Sequence, residues 1–277
     1  MSGTHELCRP PLPLPRLLAL LLPALPALLS MLAGSPAEAS GPHDLFASQL
    51  DIVELLPPPP GEESPEQQAD LAAVLEAQRA AHADGSIAHA LADVQQSCGR
   101  FSDALGYDLT SAATAKVLAF LDQTARQGAV ISVPAKRYWK RTRPYAYSTE
   151  VERLGDISPQ WSTNPEFNMA GKLSPDRQKA ADELAHSSYP SGHATFAIEC
   201  AILLAEMVPE RRAALFARNL DYDHSRMVVG AHFPTDLEAG RIAGTVAASL
   251  LLQNPAVRRD LAQARSSLRA TLGLPAP

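Results

Sequence analysis

The sequence predicts an all-α fold, in the form of a single-domain helical bundle. No stretch of useful length alternates apolar and polar residues with the period of two that marks a β-strand. Helical signals recur instead, and Ser-Pro pairs at 64–65 and 174–175 match an N-cap followed by the first helical residue. The 277 residues are 46% hydrophobic, which suits one substantial core.

Helices are predicted along most of the chain after residue 65. Gly128 is a natural stop for one of them. The stretch 128–173 differs, because it carries four prolines and both tryptophans with little periodicity, so a long ordered loop is predicted there. The predicted helical runs are 66–83, 86–96, 110–127, 174–186, 193–207, 209–228, 234–253 and 255–272.

The first 39 residues have the pattern of a cleaved export signal. Arg9 and Arg16 precede an apolar stretch, and Ala37-Glu38-Ala39 offers the small residues at which signal peptidase cuts. A membrane anchor is the main alternative, but prolines interrupt a segment already short for a bilayer. The signal predicts a periplasmic or secreted protein, with no stable membrane insertion after cleavage.

The mature chain divides into an arm and a domain. Residues 40–65 are predicted to form an extended Pro-rich arm, because four consecutive prolines at 57–60 favour a polyproline conformation. Residues 66–277 form the predicted all-α domain, with its catalytic core at about 110–255. The net charge of −6 argues against a broad nucleic-acid-binding face, so any anion must be captured locally.

Cys98 and Cys200 remain after the signal is removed. In an oxidising compartment such a pair forms either a disulfide or two buried free thiols. Their spacing leaves both alternatives open, because a disulfide depends on the distance between the two Cα atoms. Neither cysteine has the ligand spacing of a zinc site.

The first of three polar clusters is Lys136 followed by Arg143-Pro144. Arg137, Lys140 and Arg141 extend it into a basic run. A charge run of this kind, taken alone, is typical of a solvated loop.

The second cluster is Pro190-Ser191-Gly192-His193, where a loop leads into a predicted helix. A helix N-terminus offers unpaired N–H groups and a positive dipole end, which together suit a phosphate. Ser191 can add a hydroxyl donor, although a simple helix cap is the alternative for that residue.

The third cluster contains Arg226, His232 and Asp236. Asp236 lies four residues after His232, in the first turn of the helix that Pro234 opens. It could accept a hydrogen bond from one imidazole nitrogen and leave the other nitrogen free to attack. Compensation of the helix dipole is the structural alternative for Asp236.

Taken together, the three clusters resemble the type 2 phosphatidic acid phosphatase superfamily, which is shared with the vanadium haloperoxidases. The pattern is Lys, six residues, Arg-Pro, then Pro-Ser-Gly-His, then Ser-Arg, five residues, His, three residues, Asp. The export signal, the arm at 55–60, Ser188-Tyr189 and Gly230-Ala231-His232 are similar to bacterial class A nonspecific acid phosphatases. The resemblance covers roughly residues 50–255 and makes the 128–173 stretch an active-site loop.

The resemblance implies a role for each matching residue. His232 would attack phosphorus to form a phosphohistidine, Asp236 would orient it, and His193 would protonate the leaving group. The residues that would bind the phosphoryl oxygens are Lys136, Arg143, Ser191, Gly192 and Arg226. His193 must be protonated to act, and an unperturbed imidazole pKa is about 6.5, so rates are expected to decline above neutral pH.

The resulting prediction is an acid phosphatase that hydrolyses small phosphate monoesters with broad specificity. No metal and no cofactor are expected, because three cations can stabilise the phosphoryl group. Vanadate is expected to bind as a mimic of phosphate or of the transition state. The oligomeric state is left open between a monomer and a homo-oligomer.

Several alternatives stay open. The first is a more specialised phosphatase or phosphotransferase, because Phe233-Pro234-Thr235 and Ala194 depart from the family's usual Trp-x-Ser and Thr. A vanadate-dependent haloperoxidase and a binding protein without turnover are two others. The last is a metal-dependent hydrolase, whose ligands would be Asp221, Asp223, His224, His232 and Asp236. Helical phase spreads the first three around one turn, which favours the interpretation that they are ordinary exposed polar residues.

Overall fold

The computed structural model describes residues 50–155 and 186–276, and the regular secondary structure within these ranges is helical apart from one isolated β-bridge. The predicted all-α class is confirmed. None of the helices in the described ranges is long and apolar enough to cross a membrane. The helices are α1 (Ile52–Leu55), α2 (Pro65–Asp84), α3 (Ile87–Ala92), α4 (Ser102–Leu105), α5 (Ala115–Ala129), α6 (Val133–Trp139), α7 (Pro144–Tyr147), α8 (Gly192–Met207), α9 (Arg212–Val228), α10 (Pro234–Gln253) and α11 (Pro255–Thr271).

Helix α8 lies at the centre of the molecule. It is apolar on nearly all sides, and a helix of that kind has to be buried on all sides. Helices α5, α9, α10 and α11 surround it. A disulfide joins Cys200 on α8 to Cys98, with the two Cα atoms 5.4 Å apart. The first turn of α8 carries His193, so this packing holds one predicted site residue in the core.

Two glycines let α10 approach α8 closely. A Cβ placed on Gly240 would lie 2.5 Å from the carbonyl oxygen of Ser191, and one on Gly244 would lie 2.4 Å from that of Thr195. Any larger residue would force the helices apart. The approach brings the start of α10, which carries Asp236, beside the start of α8.

Gly128 does not end a helix, which corrects the prediction. It lies inside α5, and the chain continues through a 3-10 turn, Val130–Ser132, into α6. The reason for glycine is packing, because a Cβ at this position would lie 1.7 Å from Oε2 of Glu199. The predicted loop at 128–173 is therefore helical at its beginning, whereas residues 156–173 lie outside the described ranges.

The prediction of an extended segment before the prolines is also wrong in part, because Ile52–Leu55 form a short helix. Asp51 caps it by accepting from the backbone N–H of Val53 at 2.9 Å. Ile52 and Leu56 are buried in a cluster with residues of α6 and α10, which holds the arm against the domain. The predicted signal peptide at 1–39 and almost all of the predicted helix at 174–186 lie outside the described residues.

The other helices differ from their predictions only at the ends. The predicted run 110–127 begins at Ala115, and the run 86–96 ends at Ala92. The helix Pro234–Gln253 has the predicted bounds.

Candidate active site

The Ser191 side chain caps α8, at the point where the second cluster begins the helix. Its Oγ accepts from the backbone N–H of Ala194 at 3.2 Å, and its own backbone N–H donates to the Asp236 carbonyl at 2.9 Å. The cap uses the hydroxyl as an acceptor, so its proton remains available as a donor. A Cβ on Gly192 would lie 3.9 Å from Cε of Lys136, so the first turn of α8 faces the lysine.

Lys136 contacts the segment that precedes α8, and Arg143 contacts the segment that precedes α10. Lys136 is buried on α6 and donates from Nζ to the carbonyl oxygen of Ser187 at 3.0 Å. Arg143 is buried at the start of α7 and donates from Nη1 to the Ala231 carbonyl at 2.9 Å. Carbonyl groups thus hold both cations near the second and third clusters.

Arg226 adds a third buried cation at the end of α9. Burial, and then the charge of Arg143, lowers the pKa of Arg226 to about 10. Burial, again followed by Arg143, lowers the pKa of Lys136 well below its ordinary value. Within the described ranges, Lys136 and Arg226 form no ion pair with a carboxylate. Buried like charges that repel one another create a site that favours an anion.

His232 faces this group of cations through one ring nitrogen. Its Nε2 lies 3.2 Å from Nη1 of Arg143. A guanidinium can only donate, so Nε2 must accept, and the proton of the neutral ring lies on Nδ1. Burial, followed by the charges of Arg143 and Lys136, lowers the pKa of His232 well below 6.5. The Nε2 lone pair of a neutral imidazole therefore points toward the place that favours an anion.

Asp236 lies beside the other nitrogen of His232, but not at hydrogen-bond distance. Its Oδ2 is 3.6 Å from His232 Nδ1 and accepts instead from the backbone N–H of Phe233 at 2.8 Å. Its Oδ1 accepts from Nη1 of Arg141 at 2.6 Å. Asp236 therefore caps the start of α10, which was the structural alternative for this residue. A small movement of the His232 ring would also bring Nδ1 within hydrogen-bond distance of Oδ2, which is the contact predicted from the sequence.

His193 is held by the loop that follows α3. Its Nε2 lies 3.0 Å from the carbonyl oxygen of Val94, so Nε2 carries a proton and donates. Its ring stacks against Tyr222 with the centroids 6.4 Å apart. Burial, followed by the charge of Arg226, lowers the pKa of His193 well below 6.5. The imidazole is therefore neutral near pH 7 before an anion binds.

A family model decides which group of proteins this chain is related to. The model of the PAP2 superfamily matches residues 116–260, which is about half of the chain and includes all three clusters. The chain belongs to the PAP2 superfamily. This result confirms the resemblance to that superfamily seen in the sequence. The relatives described next, which are named as acid phosphatases, confirm the prediction of a phosphatase enzyme.

Curated relatives of this PAP2 protein are named as acid phosphatases. The chain is 28% identical over 224 residues to the non-specific acid phosphatase of Salmonella typhimurium, which covers 77% of the chain and 78% of that protein. It is 26% identical over 166 residues to the enzyme of Providencia stuartii, at 60% and 58% coverage. An acid phosphatase of Zymomonas mobilis is 31% identical over 126 residues, at 44% and 47% coverage.

The basic run of the PAP2 chain separates into two kinds of residue. Arg137 and Lys140 are exposed, as a solvated loop would predict. Lys136 and Arg143 are buried at the site, and so is Arg141, which sequence reasoning did not select. One sequence signal could have identified Arg141 as a buried residue of the site. Arg141 and Arg143 are alternate residues, and an extended segment turns alternate side chains to the same side.

Of the three carboxylates in the metal-hydrolase alternative, Asp236 lies beside His232, whereas Asp221 and Asp223 pair with arginines. Asp223 pairs with Arg241 at 2.7 Å, and Asp221 pairs with Arg218 at 2.9 Å. Asp223 is buried, which corrects the interpretation of it as an exposed residue. A separate group that could hold a metal ion, His89, Asp93 and Asp221, includes two carboxylates that already pair with Arg218.

Among the departures from the usual family pattern, Phe233 and Ala194 are buried, and Pro234 and Thr235 are partly buried. Phe233 lies beneath the guanidinium of Arg141, and Thr235 Oγ1 accepts from that group at 2.7 Å. A Cβ placed on Gly240 would lie only 2.8 Å from the Cβ of Ala194. The small side chain of Ala194 therefore suits the close approach of α8 and α10. The residues that differ from the family pattern therefore pack against Arg141 or at the contact between α8 and α10.

Proposed function

We propose that this PAP2 enzyme is an acid phosphatase that hydrolyses small phosphate monoesters through a phosphohistidine on His232. One observation carries the proposal: Nε2 of His232 lies 3.2 Å from Nη1 of Arg143, and the charges of the buried cations Arg143, Lys136 and Arg226 all act on the ring. Such a cluster favours a phosphoryl group, and the lone pair is directed toward that group.

The cations and the start of α8 would hold the phosphoryl oxygens. Lys136, Arg143 and Arg226 supply the positive charge, and Ser191 and the Gly192 backbone supply neutral donors. Phosphoryl transfer needs charge stabilisation and an in-line approach more than it needs covalent help from the protein. Three cations meet that need, so we propose that the reaction is independent of a metal.

The proposed reaction has two steps. With the substrate bound, His193 takes a proton from the solvent. His232 Nε2 then attacks phosphorus, the bond from phosphorus to the ester oxygen breaks, and protonated His193 gives that proton to the departing alcohol. Neutral His193 then takes a proton from water, which attacks the phosphohistidine. The bond from phosphorus to nitrogen breaks and phosphate leaves, which frees His232. His193 returns its proton to the solvent once the phosphate has left, so both histidines are again neutral.

Replacement of His232 with alanine tests the nucleophile. Hydrolysis of an aryl phosphate should be abolished, and labelled substrate should leave no acid-labile phosphate on the variant. His224→Ala is the matched control, because His224 is an exposed histidine on α9. Turnover by the His232 variant at the rate of the parent protein would refute the mechanism.

Two further assays test metal independence and substrate class. Activity should survive exhaustive EDTA treatment, and its loss followed by recovery with a divalent ion would refute metal independence. A panel of nucleotides, sugar phosphates, phytate, pyrophosphate and phospholipid should give release of phosphate from several monoesters. Vanadate should inhibit that release, whereas bromination that is faster than phosphate release would favour the haloperoxidase alternative.

We also propose that residues 1–39 direct the protein to the periplasm or the outside of the cell. The basic residues, the apolar stretch and the small residues before position 40 support this location. Peptide sequencing of the exported protein should find an N-terminus at Ser40. Activity confined to the cytoplasm would overturn the proposal.

A further inference from the structure

Arg141 is at the centre of a buried network that reaches the proposed nucleophile. Its Nη1 donates to Oδ1 of Asp236 at 2.6 Å and to Oγ1 of Thr235 at 2.7 Å. Its Nη2 donates to Oδ2 of Asp70 at 2.7 Å and to Oε1 of Gln67 at 2.6 Å. The planar guanidinium therefore connects two acceptors on α2 with two on α10.

Two neighbours hold the guanidinium in place. The ring of Phe233 lies beneath it, with the Arg141 carbon Cζ 4.3 Å from the ring centroid. Thr235 accepts from Arg141 and donates to Asp70. With four acceptors and a ring around it, Arg141 has little freedom to move.

The network fixes the direction of the Asp236 carboxylate. Arg141 holds Oδ1, and the backbone N–H of Phe233 holds Oδ2. These two bonds leave Oδ2 facing His232 Nδ1 at 3.6 Å. At this distance the negative charge of the carboxylate favours a proton on Nδ1, which leaves the lone pair on Nε2.

Charge gives Arg141 a second effect. Asp70 and Asp236 are both buried, and Arg141 is the cation that lies between them. The charge of Asp236 also acts on the buried cations Lys136 and Arg143, and without Arg141 no closer cation would compensate it among the pairs described. A carboxylate paired with either of these would compete with the phosphoryl group.

We propose that Arg141 is a positioning residue, which acts through Asp236 to orient His232 and to keep the carboxylate away from the phosphate-binding cations. The inference rests on the proposed function, in which His232 is the nucleophile. Arg141 is not proposed to touch substrate. The competing explanation is that Arg141 only ties α2 to α10 and stabilises the fold.

A double-mutant cycle separates the two explanations. Arg141→Gln is expected to lower kcat for an aryl phosphate by about 10- to 100-fold, as for other buried groups that orient a reacting residue, with KM changed less than about 3-fold. Asp236→Asn should lower kcat in the same way. The double variant should lose no more than Asp236→Asn alone, because Arg141 acts through Asp236.

Matched variants address folding. Arg141→Lys should recover part of the lost kcat, because an ammonium can pair with Asp236 although it cannot span to α2. Asp70→Asn should lower the melting temperature but lower kcat less than Arg141→Gln. Arg137→Gln, in the exposed part of the same basic run, should leave kcat unchanged. If Arg141→Gln is unfolded by circular dichroism, Arg141→Lys takes its place in the cycle.

Several outcomes would overturn the inference. Losses that add in the double variant would show that Arg141 acts independently of Asp236. A fall in affinity for inorganic phosphate that matches the fall in kcat would place Arg141 among the phosphate-binding groups. Failure of the proposed function is distinguishable, because Asp236→Asn or His232→Ala would then keep full activity with Arg141 intact.

Discussion

Replacement of Glu199 with glutamine is expected to make the folded protein less sensitive to alkaline pH. Glu199 lies on α8 and is fully buried, and neither carboxyl oxygen has a hydrogen-bond partner among the described residues. It occupies the space that a Cβ on Gly128 would fill. Burial raises the pKa of Glu199 well above 4.5, so the folded protein keeps a proton there that the unfolded chain releases.

The sign and size of the effect follow from proton linkage. Above about pH 4.5, the unfolded chain binds fewer protons at this position than the folded protein, so the free energy of unfolding falls as the pH rises. The slope is about 1.4 kcal/mol per pH unit until the pH reaches the folded pKa. Between pH 5 and 8, the parent should lose up to about 4 kcal/mol more than Glu199→Gln, because the amide does not ionise.

Urea unfolding of both proteins between pH 5 and 8 measures this difference. The contributions of His193 and His232, whose lowered pKa values act in the opposite direction, cancel when the two curves are subtracted. Glu206→Gln is the control, because Glu206 is exposed on the same helix. A difference between Glu199→Gln and the parent that does not change with pH would refute the reasoning.

Three further predictions concern packing, the disulfide and His193. Gly240→Ala should separate α8 from α10 and so lower kcat, and it should lower the free energy of unfolding by about 1–3 kcal/mol. An unchanged kcat would contradict this prediction. Replacing both Cys98 and Cys200 with serine opens a loop of 102 residues and should cost about 4–5 kcal/mol in urea unfolding, whereas a loss below about 1 kcal/mol would contradict the bridge. Phosphate should raise the pKa of His193 in an NMR titration, because the bound anion compensates the charge of Arg226. A His193 pKa that phosphate does not change would contradict this explanation.

The helices were predictable because local signals and long-range packing agree for most of them. Pro234 begins α10 and Ser64 caps α2, as the sequence indicates. Gly128 was misread, since the helix continues past it to Ala129 and the reason for glycine is the side chain of Glu199, 71 residues further along the chain. No rule based on neighbours in sequence contains that contact.

The site shows the same limit. The spacing of the clusters was enough to select Lys136 and Arg143 from the basic run. The selection depended on the second and third clusters, because the basic run alone is typical of a solvated loop. Arg141 was passed over because its partners, Asp70 on α2 and Asp236 on α10, belong to no pattern of adjacent residues. Burial, which the sequence cannot report for a charged side chain, is what distinguishes Arg141 from its exposed neighbour Lys140.

The charges of the site also explain how a buried, neutral histidine could act as an acid. The charge of Arg226 opposes protonation of His193 in the protein without substrate. A phosphate monoester brings negative charge to the same place and so favours the protonated ring when a leaving group is present. Under the proposed mechanism, the substrate itself prepares the acid. The pH dependence of kcat then reports the pKa of His193 in the complex, which should lie above its pKa in the free enzyme.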